Sequence, residues 1–277
     1  MMHTDMKPDT FLALVIDAAI AAGDAALAVY EQDFAVEEKA DHSPLTLADR
    51  RSHEIIADAL KKTEIPVLSE EGRDIPHAER KNWPALWIVD PLDGTKEFVK
   101  KNGEFTVNIA LVRDGRAVLG VIFVPVTGML YFAADGSGAF SALRSRIPAG
   151  YGDNLAVLMG AADRLPVERA SDRPFTIMGS RSHATPELSA YVEELKKRHP
   201  DAEFISAGSS LKFCRVAEGA ADIYPRTGPT MEWDTAAGQA IAEIAGAVVL
   251  DWNTAKPLAY NKPELTNPWF MVKRGVL

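Results

Sequence analysis

Leu86-Trp87-Ile88-Val89-Asp90-Pro91-Leu92-Asp93-Gly94-Thr95 runs from an apolar segment straight into an acidic turn. The first four residues read as a short buried strand. Two carboxylates, Asp90 and Asp93, follow at a spacing of three. Pro91 restricts the backbone of the residue before it, and Gly94 permits a tight turn into what comes next. Carboxylates are the hard oxygen ligands that magnesium prefers. The amides of Gly94 and Thr95 open a helix or turn and are placed to hold a phosphate oxygen. On spacing alone, the alternative is an ordinary solvent-exposed acidic turn.

A second strand candidate, IPVL (65–68), ends directly in Ser69-Glu70-Glu71-Gly72. Ligands of layered α/β proteins gather at strand C-termini. Glu70 and Glu71 alone read as a surface turn; with Asp90 and Asp93 they suggest one site built from two loops. Asp234 follows Trp233 near the start of a helix, where an acid also favours the helix dipole. Trp233 itself reads as core. Asp49 stands three residues after Thr46, in capping-box position, and that role can coexist with one in a site.

Working outward, residues 8–30 read as a helix: Leu12, Ile16, Ile20 and Leu27 recur at helical spacing among many alanines. The apolar run between Phe11 and Tyr30 is broken by Asp17, Gly23 and Asp24. It lacks the basic start and uninterrupted length of a signal or membrane helix, so no integral membrane segment is expected. A second helix is predicted from Thr46 to about residue 62. FTVNIALV (105–112), AVLGVIFV (117–124) and MLYFA (129–133) form a meander with turns at Asp114-Gly115 and Thr127-Gly128. The stretch 141–174 mixes charge with Gly and Pro. It is the best domain boundary, dividing residues 1–160 from 161–277. Beyond it the strands FTIM (175–178), EFIS (203–206), ADIY (221–224) and AVVL (247–250) alternate with helices over 186–197, 210–218 and 232–245. That alternation predicts layers of sheets and helices.

The chain has 277 residues, 47% hydrophobic and 25% charged, enough for a large core and unlike disordered or fibrous chains. Thirty Lys and Arg against 39 Asp and Glu give a net charge of −9 with no basic stripe, so nucleic acid is not an expected partner. An anionic small substrate remains compatible, because a bound divalent cation inverts the local field. The lone cysteine, Cys214, excludes an internal disulfide framework and suits a reducing compartment. A cytoplasmic enzyme is the default, with a peripheral place on the cytoplasmic face of the inner membrane left open. Cys214 lies in an apolar helical pattern with Leu211, Phe213 and Val216, which reads as core packing rather than as a nucleophile.

These residues carry a resemblance. Residues 90–95 match the D-P-[IL]-D-G-T signature of the inositol monophosphatase-like superfamily. Ser69-Glu70-Glu71 resembles the acidic element before it, and Trp233-Asp234-Thr235-Ala236-Ala237-Gly238 resembles the second signature, W-D-x-A-A-G. Order and separations fit, over nearly the whole chain. Within the superfamily, four further stretches resemble the bacterial 3'(2'),5'-bisphosphate nucleotidases. They are KADHSPLTLAD (39–49), GSRSH (179–183), GSSLKFC (208–214) and ADIYPR (221–226).

The resemblance implies a layered α-β-α-β-α sandwich of the sugar-phosphatase type, with the site where the two halves meet. It implies two or three magnesium ions bound by Glu70, Asp90, Asp93, Asp234 and the backbone carbonyl of Leu92. Asp90 is the natural bridge, Glu70 holds the ion that carries the attacking water, and Asp93 and Asp234 hold the ion facing the ester oxygen. Thr95 and Asp49 resemble the family's water-orienting pair. Glu71 stands behind the ligands or holds an extra weak ion. The amides of Gly94 and Thr95 take the phosphoryl group. Ser180, His183, Gly208 and Ser209 line a nucleoside pocket, although His183 could equally cap the following helix. Lys212 and Arg226 become candidates for the phosphate that is not cleaved, where their types alone would suggest surface solubility.

The implied activity is magnesium-dependent, lithium-sensitive hydrolysis of the 3'-phosphate of 3'-phosphoadenosine 5'-phosphate, or of its sulfated relative 3'-phosphoadenosine 5'-phosphosulfate. The implied partner is a small nucleoside bisphosphate, and the implied oligomer a monomer or homodimer. The alternatives are an inositol-phosphate or broad sugar-phosphate monoesterase and, in another class, a non-catalytic metal-dependent regulatory protein.

Overall fold

A computed structural model describes residues 6–32, 36–38, 44–167, 173–179 and 185–275. The chain opens with a 3-10 turn at Pro8–Phe11 and helix α1 (Leu12–Tyr30), as the spacing predicts. The buried stripe of α1 includes Leu12, Val15, Ile16, Ala19, Ala22 and Ala26. The helix lies close on the sheet: a Cβ at Gly23 would sit 2.5 Å from the ring of Phe123. By length and composition Pro8–Tyr30 is apolar enough to cross a membrane, yet half of it is buried within the fold. Short strands β1 (Val36–Glu38) and β2 (Pro44–Thr46) pair antiparallel and lead into α2 (Leu47–Leu60).

A seven-stranded sheet follows. It is built in chain order from β3 (Val67–Ser69), β4 (Ala85–Asp93), β5 (Thr106–Arg113), β6 (Arg116–Val124), β7 (Met129–Ala134), β8 (Gly138–Leu143) and β9 (Asp163–Arg164). Only β3 and β4 pair parallel; every later neighbour is antiparallel. Asp114 (φ 47°) and Gly115 (φ 75°) form the tight turn expected between β5 and β6. Short helices α3 (His77–Arg80) and α4 (Thr95–Val99) flank β4.

Several features differ from the sequence expectation here. β4 does not stop at Val89 but runs on to Asp93, with a register break between Asp90 and Asp93. The meander also gains β8, whose small residues are weak strand formers. β8 is held by its neighbours: Phe140 pairs with Phe132 and stacks on it at 5.4 Å. The described residues of the stretch 141–174 also include α5 (Leu155–Gly160), capped by Asn154, and β9.

The second sheet has the order β11-β10-β12-β14-β13, from β10 (Thr176–Gly179), β11 (Glu203–Ser206), β12 (Ile223–Arg226), β13 (Ala247–Asp251) and β14 (Phe270–Arg274). β14 was not expected from sequence. It enters antiparallel between β12 and β13, burying Phe270 and Val272 in alternation. Helices α6 (Pro186–Arg198), α7 (Leu211–Ala217) and α8 (Glu232–Ile244) complete the chain.

Strand alternation sends successive side chains to opposite faces and so creates the layers. Trp87, Val107, Ile109 and Val121 face α1 and α2. Leu86, Ile88, Ala110 and Ile122 face Cys214 of α7 and Ala236, Ala240 and Ile241 of α8. The opposite sides of α7 and α8 meet the second sheet through Phe213, Val216, Tyr224, Val249 and Phe270. Ile177 and Ile223 cover α6 through Leu188, Val192 and Leu195. The result is the expected α-β-α-β-α sandwich. Cys214 is fully buried, with its thiol pushed well up by burial, as core packing requires.

Candidate active site

The parallel ends of β3 and β4 bring the two acidic loops side by side: Glu70 N donates to Val89 O at 3.2 Å. The turn beyond Val89 closes on itself, with Leu92 N donating to Asp90 Oδ1 at 3.1 Å. Ser52 Oγ of α2 donates to Pro91 O at 2.6 Å and clamps the loop from below. One turn earlier on α2, Asp49 is fully buried, and its charge adds to the acidity around Asp90. The Leu92 side chain packs with Ala26, Val29, Ala48, Phe98 and Phe105, which leaves only its backbone for the site. Gly94 adopts φ 94°, a left-handed conformation that favours glycine, and starts α4 at half-buried Thr95.

The second half of the chain adds the remaining groups. Asp93 Oδ2 accepts from Ser210 N at 2.6 Å and from Asn108 Nδ2 at 3.3 Å. Asp234 Oδ2 accepts from Met231 N at 2.8 Å, so it also serves the first turn of α8. A cleft of about 120 Å³ is lined by Asp93, Gly94, Gly208, Ser209, Lys212, Arg226 and Asp234, with Tyr224 at its wall.

Burial and crowding raise the carboxyl pKa values. Asp90 stands well above the usual carboxylate range, through burial first and then the charges of Glu70, Asp93, Asp234 and Asp49. Burial lifts Asp93 to about 6, with Lys212 pulling the other way. Burial and then the Asp93 charge lift Asp234 to about 8. Among the described residues no three His, Cys, Asp or Glu side chains stand as a ready-made cage. The donor chemistry nonetheless suits a divalent cation. Asp90, Asp93 and Asp234 each tie one oxygen to a backbone amide, and their other oxygens accept no hydrogen bond among the described residues. Hard, buried, mutually repelling oxygens of this kind are stabilised by a metal ion.

Lys212 corrects the surface reading of its type. It is only 5% exposed, and burial lowers its pKa to about 8. Its Nζ donates to Ser209 O at 2.6 Å and Ala207 O at 3.1 Å, and lies 5.4 Å from the Tyr224 ring centroid. Arg226 is half-buried; Nη2 donates to Pro229 O at 3.1 Å, while its buried Nε finds no partner among the described residues. The buried Ser209 Oγ likewise finds none, and Ser209 holds a left-handed φ of 42°. Unpaired buried donors beside a cleft fit an anionic ligand.

Glu70 and Glu71 sit half-buried at the β3 end, and His53 Nδ1 lies 2.9 Å from Ser69 Oγ beside them. Ser180, His183 and residues 39–43 lie outside the described residues. The helix that follows, α6, is capped by Thr185, whose Oγ1 accepts from Leu188 N at 3.2 Å. Reasoning from sequence gave no site role to Thr106, Asn108, Ser210 or Tyr224, although Ser210 and Tyr224 stand in the GSSLKFC and ADIYPR stretches. For Thr106 and Asn108 the signal was two polar residues in the mainly apolar run FTVNIALV.

Carboxylates crowded at strand ends, beside a cleft bearing buried cationic side chains between the layers of an α-β-α-β-α sandwich, define a phosphatase-type fold. The inositol monophosphatase family model matches residues 7–272, and the chain belongs to that family. Among its relatives is the 3'(2'),5'-bisphosphate nucleotidase CysQ of Escherichia coli (strain K12). The two are 46% identical over 257 residues, 91% of this chain and 94% of that protein. The crystal structure of CysQ from Bacteroides thetaiotaomicron superposes with a TM-score of 0.88 at 49% identity, covering 98% of both chains. The extragenic suppressor protein suhB of Bartonella henselae superposes with a TM-score of 0.71 at 26% identity, covering 95% of this chain and 93% of that one.

Proposed function

We propose that this chain hydrolyses the 3'-phosphate of 3'-phosphoadenosine 5'-phosphate to AMP and inorganic phosphate, and acts likewise on the sulfated form to give adenosine 5'-phosphosulfate. The observation that carries this reading is the pairing of opposite charges in one cleft. Asp93 and Asp234 stand among the carboxylates, and Lys212 and Arg226 supply cations beside them. The similarity to CysQ nucleotidases supports the choice of substrate.

In this reading Glu70, Asp90, Asp93, Asp234 and the Leu92 carbonyl hold magnesium. Bound magnesium supplies an activated water and neutralises charge on the leaving oxygen. The Thr95 hydroxyl orients the water and passes its proton toward the Asp49 carboxylate. The amides of Gly94 and Thr95 bind the phosphoryl oxygens. Water attacks phosphorus in line, the bond from phosphorus to the 3'-oxygen breaks, and that oxygen leaves and takes up a proton. Arg226 and Lys212 face the uncleaved 5'-phosphate. Gly208 and Ser209, with Ser180 and His183, border the nucleoside. Glu71 supports the ligand loop beside Glu70. A cytoplasmic setting suits the single, core-packed thiol of Cys214.

The test is phosphate release by the purified chain, with and without magnesium, on both nucleotides, inositol monophosphate and fructose bisphosphate. The reading expects the highest kcat/KM on a nucleoside bisphosphate, and only with magnesium. Preference for the inositol or sugar phosphates would move the broad monoesterase ahead. No release from any substrate would favour a non-catalytic protein.

A further inference from the structure

The polar contacts of Asp93 reach beyond its own loop. Asn108 sits in the middle of β5, only 1% exposed, between the core residues Val107 and Ile109. Its Nδ2 donates to Asp93 Oδ2, the same oxygen that accepts from Ser210 N. Its Oδ1 lies 2.8 Å from Ser210 Oγ and 3.0 Å from Thr106 Oγ1, and the two hydroxyl oxygens are 2.8 Å apart. Thr106 and Ser210 are themselves buried, at 0% and 2% exposure.

The chemistry of these groups sets their orientation. A carboxylate only accepts, so the amide must turn its nitrogen toward Asp93. Its oxygen then faces two hydroxyls, which have protons to give it. Buried polar groups of this kind cost stability unless they are paired, and Thr106, Asn108 and Ser210 each have partners. Both bonds to Asp93 fall on Oδ2, and Oδ1 accepts none among the described residues. Ser210 also stands at the start of α7, which carries Lys212, and Lys212 Nζ bonds the carbonyl of Ser209 next to it.

We propose that Thr106, Asn108 and Ser210 are positioning residues that hold Asp93 by Oδ2, present its other oxygen to the metal, and lock that carboxylate to the start of the substrate-binding helix. The proposal rests on reading Asp93 as a ligand of a divalent cation. The first sheet, through β5, thereby sets the spacing between the metal side and the phosphate-binding side of the cleft. Neither Thr106 nor Asn108 needs to touch substrate to do this.

The test measures magnesium binding to the full chain without substrate, by isothermal titration calorimetry, so that turnover plays no part. The variants are Thr106→Val, Thr106→Ser and Asn108→Ala, each checked by circular dichroism and thermal melting. Removing the partner of a metal-ligating side chain typically weakens binding about tenfold to a hundredfold. That loss is expected in Asn108→Ala, which removes a direct partner of Asp93, and a smaller loss in Thr106→Val, which acts through Asn108 and Ser210, while Thr106→Ser, which keeps the hydroxyl, binds like the wild type. A packing role predicts the reverse order, because Val fills the volume of Thr and Ser does not. Thr106→Val binding as wild type, or Thr106→Ser binding more weakly than Thr106→Val, overturns the proposal. If Asn108→Ala does not fold, the two Thr106 variants still decide. A wild-type chain that binds no magnesium overturns the metal reading itself; a binding wild type matched by all three variants overturns only the positioning role.

Discussion

Gly120 of β6 lies directly beneath the carbonyl oxygen of Ala237 of α8, with the Ala240 methyl 3.0 Å from where a Cβ would stand. Strand and helix meet backbone to backbone at this point, and α8 is the helix that begins beside Asp234. Gly120→Ala must therefore push α8 off the sheet, since a backbone carbonyl cannot swing aside as a side chain can. Overpacking of this kind costs about 1–3 kcal/mol. Scanning calorimetry is expected to show a lower Tm, and the displaced Asp234 a higher magnesium requirement. Gly160→Ala, where nothing lies within 4 Å of the added methyl, is the matched control and should leave Tm unchanged or raised.

Removing the metal should expose the repulsion among the carboxylates as a pH dependence. Asp93 at about 6 and Asp234 at about 8 both stand above their unfolded values near the usual carboxylate range, chiefly because they are buried. The folded state then holds more protons than the unfolded state between those limits. Stability from these groups is complete below the unfolded pKa and is lost as pH rises through the folded ones. The chelated protein should lose stability from about pH 4 to about pH 8, and saturating magnesium should flatten that slope. Denaturant melts at several pH values, with chelator and with magnesium, check both halves. Asp90→Asn should also flatten the slope of the chelated protein while leaving the fold intact and removing most turnover.

Thr95→Ala should lower kcat far more than it raises KM. On the proposed mechanism the hydroxyl orients water, an effect felt chiefly in the transition state, while the Thr95 amide survives the substitution and stays available to phosphate. Steady-state kinetics at saturating magnesium decide it. A raised KM with unchanged kcat would reassign Thr95 to substrate binding.

Arg226→Ala should lose about tenfold to a hundredfold in kcat/KM on 3'-phosphoadenosine 5'-phosphate, the size of one charge-assisted contact. Inositol monophosphate, which has no second phosphate, should be hydrolysed with little change. Equal losses on both substrates would make Arg226 a structural group. Lys212→Ala is the less clean probe. Lys212 is buried against two backbone carbonyls, so its removal should also lower Tm.

Much of this protein follows from local rules. The acidic turns at Glu70 and at Asp90 and Asp93 are legible because strand, proline and glycine signals act over a few residues. The layered fold is legible from the alternation of apolar strands with helices, and the resemblance drawn from those motifs is borne out by the family match over residues 7–272. β8 and β14 were not legible. Weak or short segments become strands only when a neighbouring strand offers them hydrogen bonds and an apolar face, as Phe132 does for Phe140.

The sequence by itself determined which residues are acids and which loops present them. Tertiary structure alone decided that Asp93 meets Ser210 and Asn108, that Lys212 is buried rather than solvated, and that Arg226 lines the same cleft with a buried Nε that finds no partner among the described residues. The physical reason is range. A turn is set by the torsions of adjacent residues, whereas burial, charge crowding and hydrogen bonds between distant segments exist only once the layers have stacked and excluded water.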